Sequence, residues 1–153
     1  MHNGQWAQKR NTSSWIEFCL TAHYRQTRTL QRRIEQYEAL WGRCEDLAAR
    51  HRLPDRAIGA LSDAARGRTL WRSLYVKIVR SSTGEDISDM TGTRDLLAMH
   101  RAGLLDAIGE KRGRRYRATL ELWGIWMEIR TQHPSLKVED PYEAISGRPT
   151  PGM

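Results

Sequence analysis

The chain has no apolar run approaching the roughly 18 residues that a membrane-crossing helix requires. Its first ten residues, MHNGQWAQKR, hold no apolar core of signal-peptide length. Both absences lead to the expectation of a cytoplasmic protein. Cysteine is scarce: Cys19 and Cys44 are the only two. On one continuous helix they would stand about 37 Å apart at ~1.5 Å per residue, which excludes a disulfide within the chain. Neither has a second cysteine in CxxC spacing, and both fall on an apolar stripe, so they read as small buried hydrophobes rather than redox or metal groups.

Catalytic signatures are missing as well. His2, His23, His51, His100 and His133 are scattered without the HExxH spacing of a metal site. There is no GxxxxGK[ST] phosphate loop, no GxSxG elbow, no GxGxxG after a strand and no internal repeat. His23, beside Tyr24 near the apolar stripe, reads as a packed or capping histidine rather than a general base. The expectation is a non-enzyme with no cofactor, no metal and no catalytic residue.

What is present is an ordinary apolar share, 39% of 153 residues, enough for one domain or two small ones and too much for a collagen-like, coil-only or disordered chain. Lys and Arg outnumber Asp and Glu by 25 to 18, a formal charge of +7. That surplus favours polyanionic partners through long-range attraction.

Periodicity sets the organisation. Ser14 followed by Glu17 has capping-box spacing, so a helix is expected over 14–50. Its stripe is Trp15, Cys19, Ala22, Leu30, Ile34, Tyr37, Trp41, Cys44 and Ala48, with Gln26 the polar interruption, and Pro54 ends it. A stripe this long calls for a partner helix, from a second copy or from a missing domain, of which self-association to a homodimer is the commoner answer. Asp55 is expected to cap a short helix with Ala57, Ile58, Leu61 and Ala65 inward, closed by Gly67. A second helix carries Leu70, Leu74, Tyr75 and Ile78 and stops before the Ser81-Ser82-Thr83-Gly84 turn. A third starts at a Ser88 cap, keeps Leu96, Met99 and Leu104 inward and stops at Gly103, leaving Thr91, Thr93, Arg94, Leu97 and Arg101 outward. Strands over 104–108 and 116–119 then flank a two-glycine tip, Gly109 to Gly113. Three helices followed by a hairpin is winged-helix order. Leu120, Leu122, Trp123, Ile125, Trp126 and Ile129 form a last short helix, and residues 134–153 read as a mobile tail.

The expected fold is therefore mostly α: a long N-terminal helix over 1–52, a winged helix-turn-helix domain with a small β-hairpin over 53–119, a C-terminal helix over 120–133, and the tail. In such a domain the third helix enters the major groove of double-stranded DNA while the hairpin follows the backbone. The candidate DNA-binding residues are Thr91, Thr93, Arg94 and Arg101 on the helix and Lys111, Arg112, Arg114, Arg115 and Arg117 on the wing, where arginine can pair with guanine and the cationic tip can neutralise phosphates. Arg66, Arg68, Arg72 and Lys77 extend the footprint if their side faces DNA. The competing reading makes the tip a solvated edge and Arg94-Asp95 a surface pair, and Asp89, Asp95 and Asp106 count against DNA. The six tryptophans read mostly as core anchors.

Two stretches resemble the C-terminal part of bacterial Fic family proteins. NTSSWIEFCLTAHYRQTRTLQRRIEQYEALW is similar to the long helix that follows their catalytic core. LPDRAIGALSDAARGR with ISDMTGTRDLLAMHRAGLLDAIGEKRGRRYRAT resembles their C-terminal winged helix, in which a T-x-S-R-D-L run opens the recognition helix and a G-E-x-R-G-R-x-Y run forms the wing. The resemblance assigns Thr91, Thr93, Arg94, Asp95 and Leu96 to the first run and Gly109, Glu110, Arg112, Gly113, Arg114 and Tyr116 to the second. Thr93 stands where serine is usual and His100 where an apolar residue is common. The family's HPFxDGNGR loop, whose histidine and glycine-rich turn transfer AMP from ATP to a protein hydroxyl, is absent from this sequence. The resemblance thus implies the appendage and not the enzyme, either as a DNA-binding regulator or as an interaction and oligomerisation module for a separate Fic catalytic subunit.

Overall fold

In the computed structural model, which describes residues 12–110 and 113–134, five helices and one antiparallel hairpin follow each other along the chain. They are α1 (Ser13–Arg50), a 3₁₀ turn at Asp55–Ala57, α2 (Ile58–Ala65), α3 (Arg72–Thr83), α4 (Asp89–Arg101), β1 (Leu105–Ile108), β2 (Arg115–Ala118) and α5 (Leu120–Gln132). The mostly helical architecture with a small hairpin is the one expected. Contacts divide the described residues into two units, one ending at Arg33 and the other Ile34–Pro134. The C-terminal tail expected from composition and the wing tip Lys111 and Arg112 lie outside the described residues. No helix among the described residues is long and apolar enough to cross a membrane.

The helices stop where local chemistry says they should. Ser88 caps α4, its hydroxyl oxygen accepting the Thr91 amide at 3.1 Å. Gly84 ends α3 at φ +75 and Gly103 follows α4 at φ +75, a region in which a Cβ would be strained. Two expected caps are corrected. α1 begins one residue before the capping pair, with the Ile16 amide on the Thr12 carbonyl at 3.0 Å, so Ser14 is already inside the helix. Asp55 makes no side-chain cap: it opens the 3₁₀ turn, and Pro54 precedes it in extended conformation.

The core belongs to the unit Ile34–Pro134. Leu40, Cys44, Leu47 and Ala48 from the second half of α1 join Leu61, Ala64, Leu74, Tyr75, Leu96, Met99, Leu104 and Leu122, all buried. The buried face of α1 is therefore rotated from the expected stripe, because Leu40 and Leu47 enter the core while Ile34 and Tyr37 stay exposed. In the other unit Trp15 is 68% and Phe18 70% exposed. α5 lies on α2 through Leu122 and Ile129, while Leu120 and Trp123 remain exposed. The described tryptophans are accordingly not core anchors: Trp15, Trp71 and Trp123 are exposed, and Trp41 and Trp126 only pack on the core's margin, while Trp6 lies outside the described residues.

β1 and β2 pair in register Leu105↔Ala118 to Ile108↔Arg115. Leu70, expected in a helix, instead forms a β-bridge with Tyr116, each amide bonded to the other's carbonyl at 2.8 Å. The segment entering α3 thus adds one rung to the hairpin's edge. α3 packs on α4, and α4 on β1, so the wing and the third helix share one support.

Candidate nucleic-acid interface

α4 is held by a buried charge cluster. Asp95 is 5% exposed and accepts three hydrogen bonds: from Arg56 Nε at 2.7 Å, from the Arg56 Nη2 at 3.3 Å and from the buried Tyr75 hydroxyl at 2.9 Å. Glu85 stands 3.7 Å from the same guanidinium. The hydrogen bond to Asp95 pushes the Arg56 pKa up, and burial followed by the Asp95 charge pushes the Tyr75 hydroxyl up. Asp95 is therefore not half of a surface pair with Arg94. Turned inward and matched by Arg56, it adds little repulsion to any polyanion outside.

With Asp95 inward, the neighbours one position before it and a turn away face out. Thr93 and Arg94 are exposed, Arg101 is exposed at the helix end, and Thr91 is half-buried. Arg94 and Arg101 make no ion pair among the described residues. The two threonine hydroxyls are already engaged. Thr93 donates to the Asp89 carbonyl at 2.9 Å, and the Thr91 hydroxyl lies 3.0 Å from that of Ser88. The Thr93 hydroxyl, bonded back to its own helix, has no hydrogen left for an outside acceptor.

Thr93 and the hairpin meet in one groove of about 760 Å³, lined by Trp71, Arg72, Ser73, Leu96, Arg114 and Tyr116 in addition. Arg115 places its guanidinium 5.6 Å from the centre of the Trp71 ring, a cation–π contact that holds a cation at the tip end of the hairpin, where Arg115 pairs with Ile108. Arg72 lies on the groove's rim and pairs with Asp89 at 3.2 Å, both side chains more than half exposed. Arg117 is not in this groove: with Arg68, Asp106 and Trp123 it lines a separate one on another side of the hairpin. Arg66 and Arg68 are both tied to Asp63, and Arg66 also covers the Tyr37 ring at 5.3 Å, so they do not extend the cluster as free cations. Lys77 is exposed on α3.

Sequence reasoning missed Trp71 and Ser73 here. Trp71 carried a usable signal: it directly precedes Arg72 at the start of a helix, off the spacing of Leu74 and Ile78. His100, the apolar-to-polar departure in the helix, is accommodated because its Nδ1 lies 2.7 Å from the Leu105 carbonyl and its ring against Tyr116. Cys44 is buried, and burial pushes its thiol up to about 12, whereas Cys19 is only half-buried. Among the described residues no three His, Cys, Asp or Glu side chains gather as a metal site.

Comparison with protein-family models, with curated proteins and with solved structures finds no match to this chain.

Proposed function

We propose that the chain is a non-enzymatic, cytoplasmic winged-helix regulator that binds double-stranded DNA, with α4 in the major groove and the hairpin arginines on phosphates. The observation that carries this reading is the shared groove. Thr93 of α4 and Arg114 of the hairpin line it together, next to the stacked Arg115 and with Arg94 exposed alongside. A surface of that layout offers cations to the backbone around a helix that can reach base edges. The resemblance to the Fic C-terminal module supports the same reading and gives no catalytic group to it.

Engaging about four phosphates sets the slope of log K against log[salt] near −3.6. Exchanging Lys111, Arg112, Arg114 and Arg115 for alanine should flatten that slope, and Arg94→Ala should cost sequence preference more than bulk affinity. Anisotropy titrations with duplex DNA across a salt series measure both. An unchanged slope in the quadruple variant rejects the wing's role, and no duplex binding at moderate salt rejects the reading itself.

The exposed Trp15 and Phe18 favour a protein contact on the first half of α1, and we propose a second copy of the chain as its occupant. Sedimentation of the full chain should give a dimer that Trp15→Ala with Phe18→Ala converts to monomer. A monomeric wild type leaves that face to a separate Fic-type catalytic subunit, the alternative module reading.

A further inference from the structure

The outer stripe of α4 is chemically mixed in a way that phosphate binding does not explain. Met90, Arg94, Leu97 and Arg101 follow one another at four, three and four residues, so they share one face of the helix. Met90 is 74% exposed and Leu97 half-exposed. Between them Arg94 projects without an acidic partner among the described residues. Met90, Arg94 and Leu97, together with Thr93, Arg72 and Asp89, line a shallow groove of about 530 Å³ whose walls are mainly apolar. The outward residues of the preceding helix, Arg72, Ser73, Lys77 and Arg80, show what a purely solvated or phosphate-facing helix looks like in this protein. α4 differs by setting hydrocarbon on both sides of a guanidinium.

The floor of a major groove presents that combination. Guanine offers O6 and N7 as paired acceptors to arginine, and thymine offers its C5-methyl as the one apolar group on a base edge. Met90 and Leu97 are seven residues apart, about 10 Å along the helix, which is the length of roughly three base-pair steps. Thr93 adds to this face as hydrocarbon, since its hydroxyl is turned back onto the Asp89 carbonyl. Asp89 does not oppose it with a bare charge, because Arg72 pairs with it. The surrounding cations, Arg94, Arg101, Arg114 and Arg115, match the charge of a duplex rather than of an apolar protein segment.

We propose that Met90 and Leu97 are specificity residues that contact thymine methyl groups on either side of the base pair met by Arg94. The inference rests on the DNA-binding reading and goes beyond it by naming the base chemistry that the helix selects. Its preferred duplexes carry thymine flanking a guanine, and the discrimination comes from a methyl group rather than from a hydrogen bond.

The test uses the full chain and duplexes enriched from a randomised library. In the enriched duplex each thymine is replaced in turn by uracil, which deletes only the methyl. The expected loss is about fourfold at each contacted position, the affinity equivalent of ~0.8 kcal/mol for one buried carbon. Met90→Ala and Leu97→Ala should each become indifferent to uracil at one position while keeping the salt slope, their folding checked by circular dichroism. Equal affinity of the wild-type chain for thymine and uracil duplexes, or enrichment of sites without flanking thymine, overturns the inference while leaving DNA binding intact. Absence of any duplex binding overturns both, and that result is separable from the first because no salt-sensitive complex forms.

Discussion

Replacing Asp95 by alanine should be among the most damaging single changes in this protein, and the cost can be worked from its neighbours. Tyr75 is fully buried, so its hydroxyl loses its acceptor with no water to replace it, a penalty of about 1–3 kcal/mol. Arg56 loses a two-bond carboxylate partner, but its side chain is 26% exposed and Glu85 stands 3.7 Å away, so solvent and that second carboxylate recover part of the loss. The total is about 3 kcal/mol, at the lower edge of the ~3–5 kcal/mol seen when a fully buried pair is broken. Against a whole-domain stability of about 5–15 kcal/mol this is a large fraction. Tyr75→Phe alone should cost only about 1 kcal/mol, because Asp95 keeps Arg56. The double variant removes the orphaned hydroxyl, so its cost should fall short of the summed singles by about 1 kcal/mol. Urea unfolding of the four proteins measures the cycle. A cost below about 1 kcal/mol for Asp95→Ala, or strict additivity, would falsify the view that this cluster pins α4.

Three further outcomes follow from other parts of the fold. Because burial raises the Cys44 thiol from 9.0 to about 12, its contribution is fully present below pH 9 and is lost as pH climbs toward 12, worth roughly 4 kcal/mol across that window. Alkaline unfolding of Cys44→Ala should show a shallower pH dependence than the wild type, and an identical profile refutes the assignment. A Cβ at Gly92 would sit 3.2 Å from Val76 Cγ2 and 3.4 Å from Tyr75 Cδ1, so Gly92→Val should force α3 and α4 apart at a cost of about 1–3 kcal/mol, read as a lowered melting temperature. Gly84 at φ +75 has open space around a Cβ, so Gly84→Ala should cost only the backbone strain of about 1 kcal/mol; a larger loss in urea unfolding contradicts that account.

What the sequence made legible was the chemistry carried by adjacent residues. Ser88 before α4, Gly84 after α3, Gly103 after α4 and the two-glycine hairpin tip announce themselves because a cap or a left-handed turn is decided within three or four positions. The buried role of Asp95 was hidden for the opposite reason. Its neighbour Arg94 suggested a surface pair, while its actual partners Arg56 and Tyr75 stand 39 and 20 positions away. Leu70 carries helical spacing with Leu74, yet the two backbone bonds to Tyr116 draw it into a strand rung that no local pattern encodes. In α1 the periodicity was clear, but which flank of it is covered depends on α2 and α5, so Leu40 and Leu47 are core and Tyr37 is not. For the candidate site, Thr93, Arg94, Arg114 and Arg115 were named from position and charge. Ser73 was not, since nothing local marks a groove assembled from three separate elements, and Trp71 was passed over although its place before Arg72 set it off the helical spacing.

The single rung between Leu70 and Tyr116 has a mechanical consequence. A two-stranded ribbon alone is marginal in water, and its outer margin invites another chain to add a strand. Stitched at one point to the segment that launches α3, the ribbon becomes a lever with its fulcrum in the core. A load on its free end would reach the first turn of α3 through that rung. If the hairpin grips a polyanion as proposed, amide exchange at Leu70 should therefore slow, although Leu70 does not line the groove.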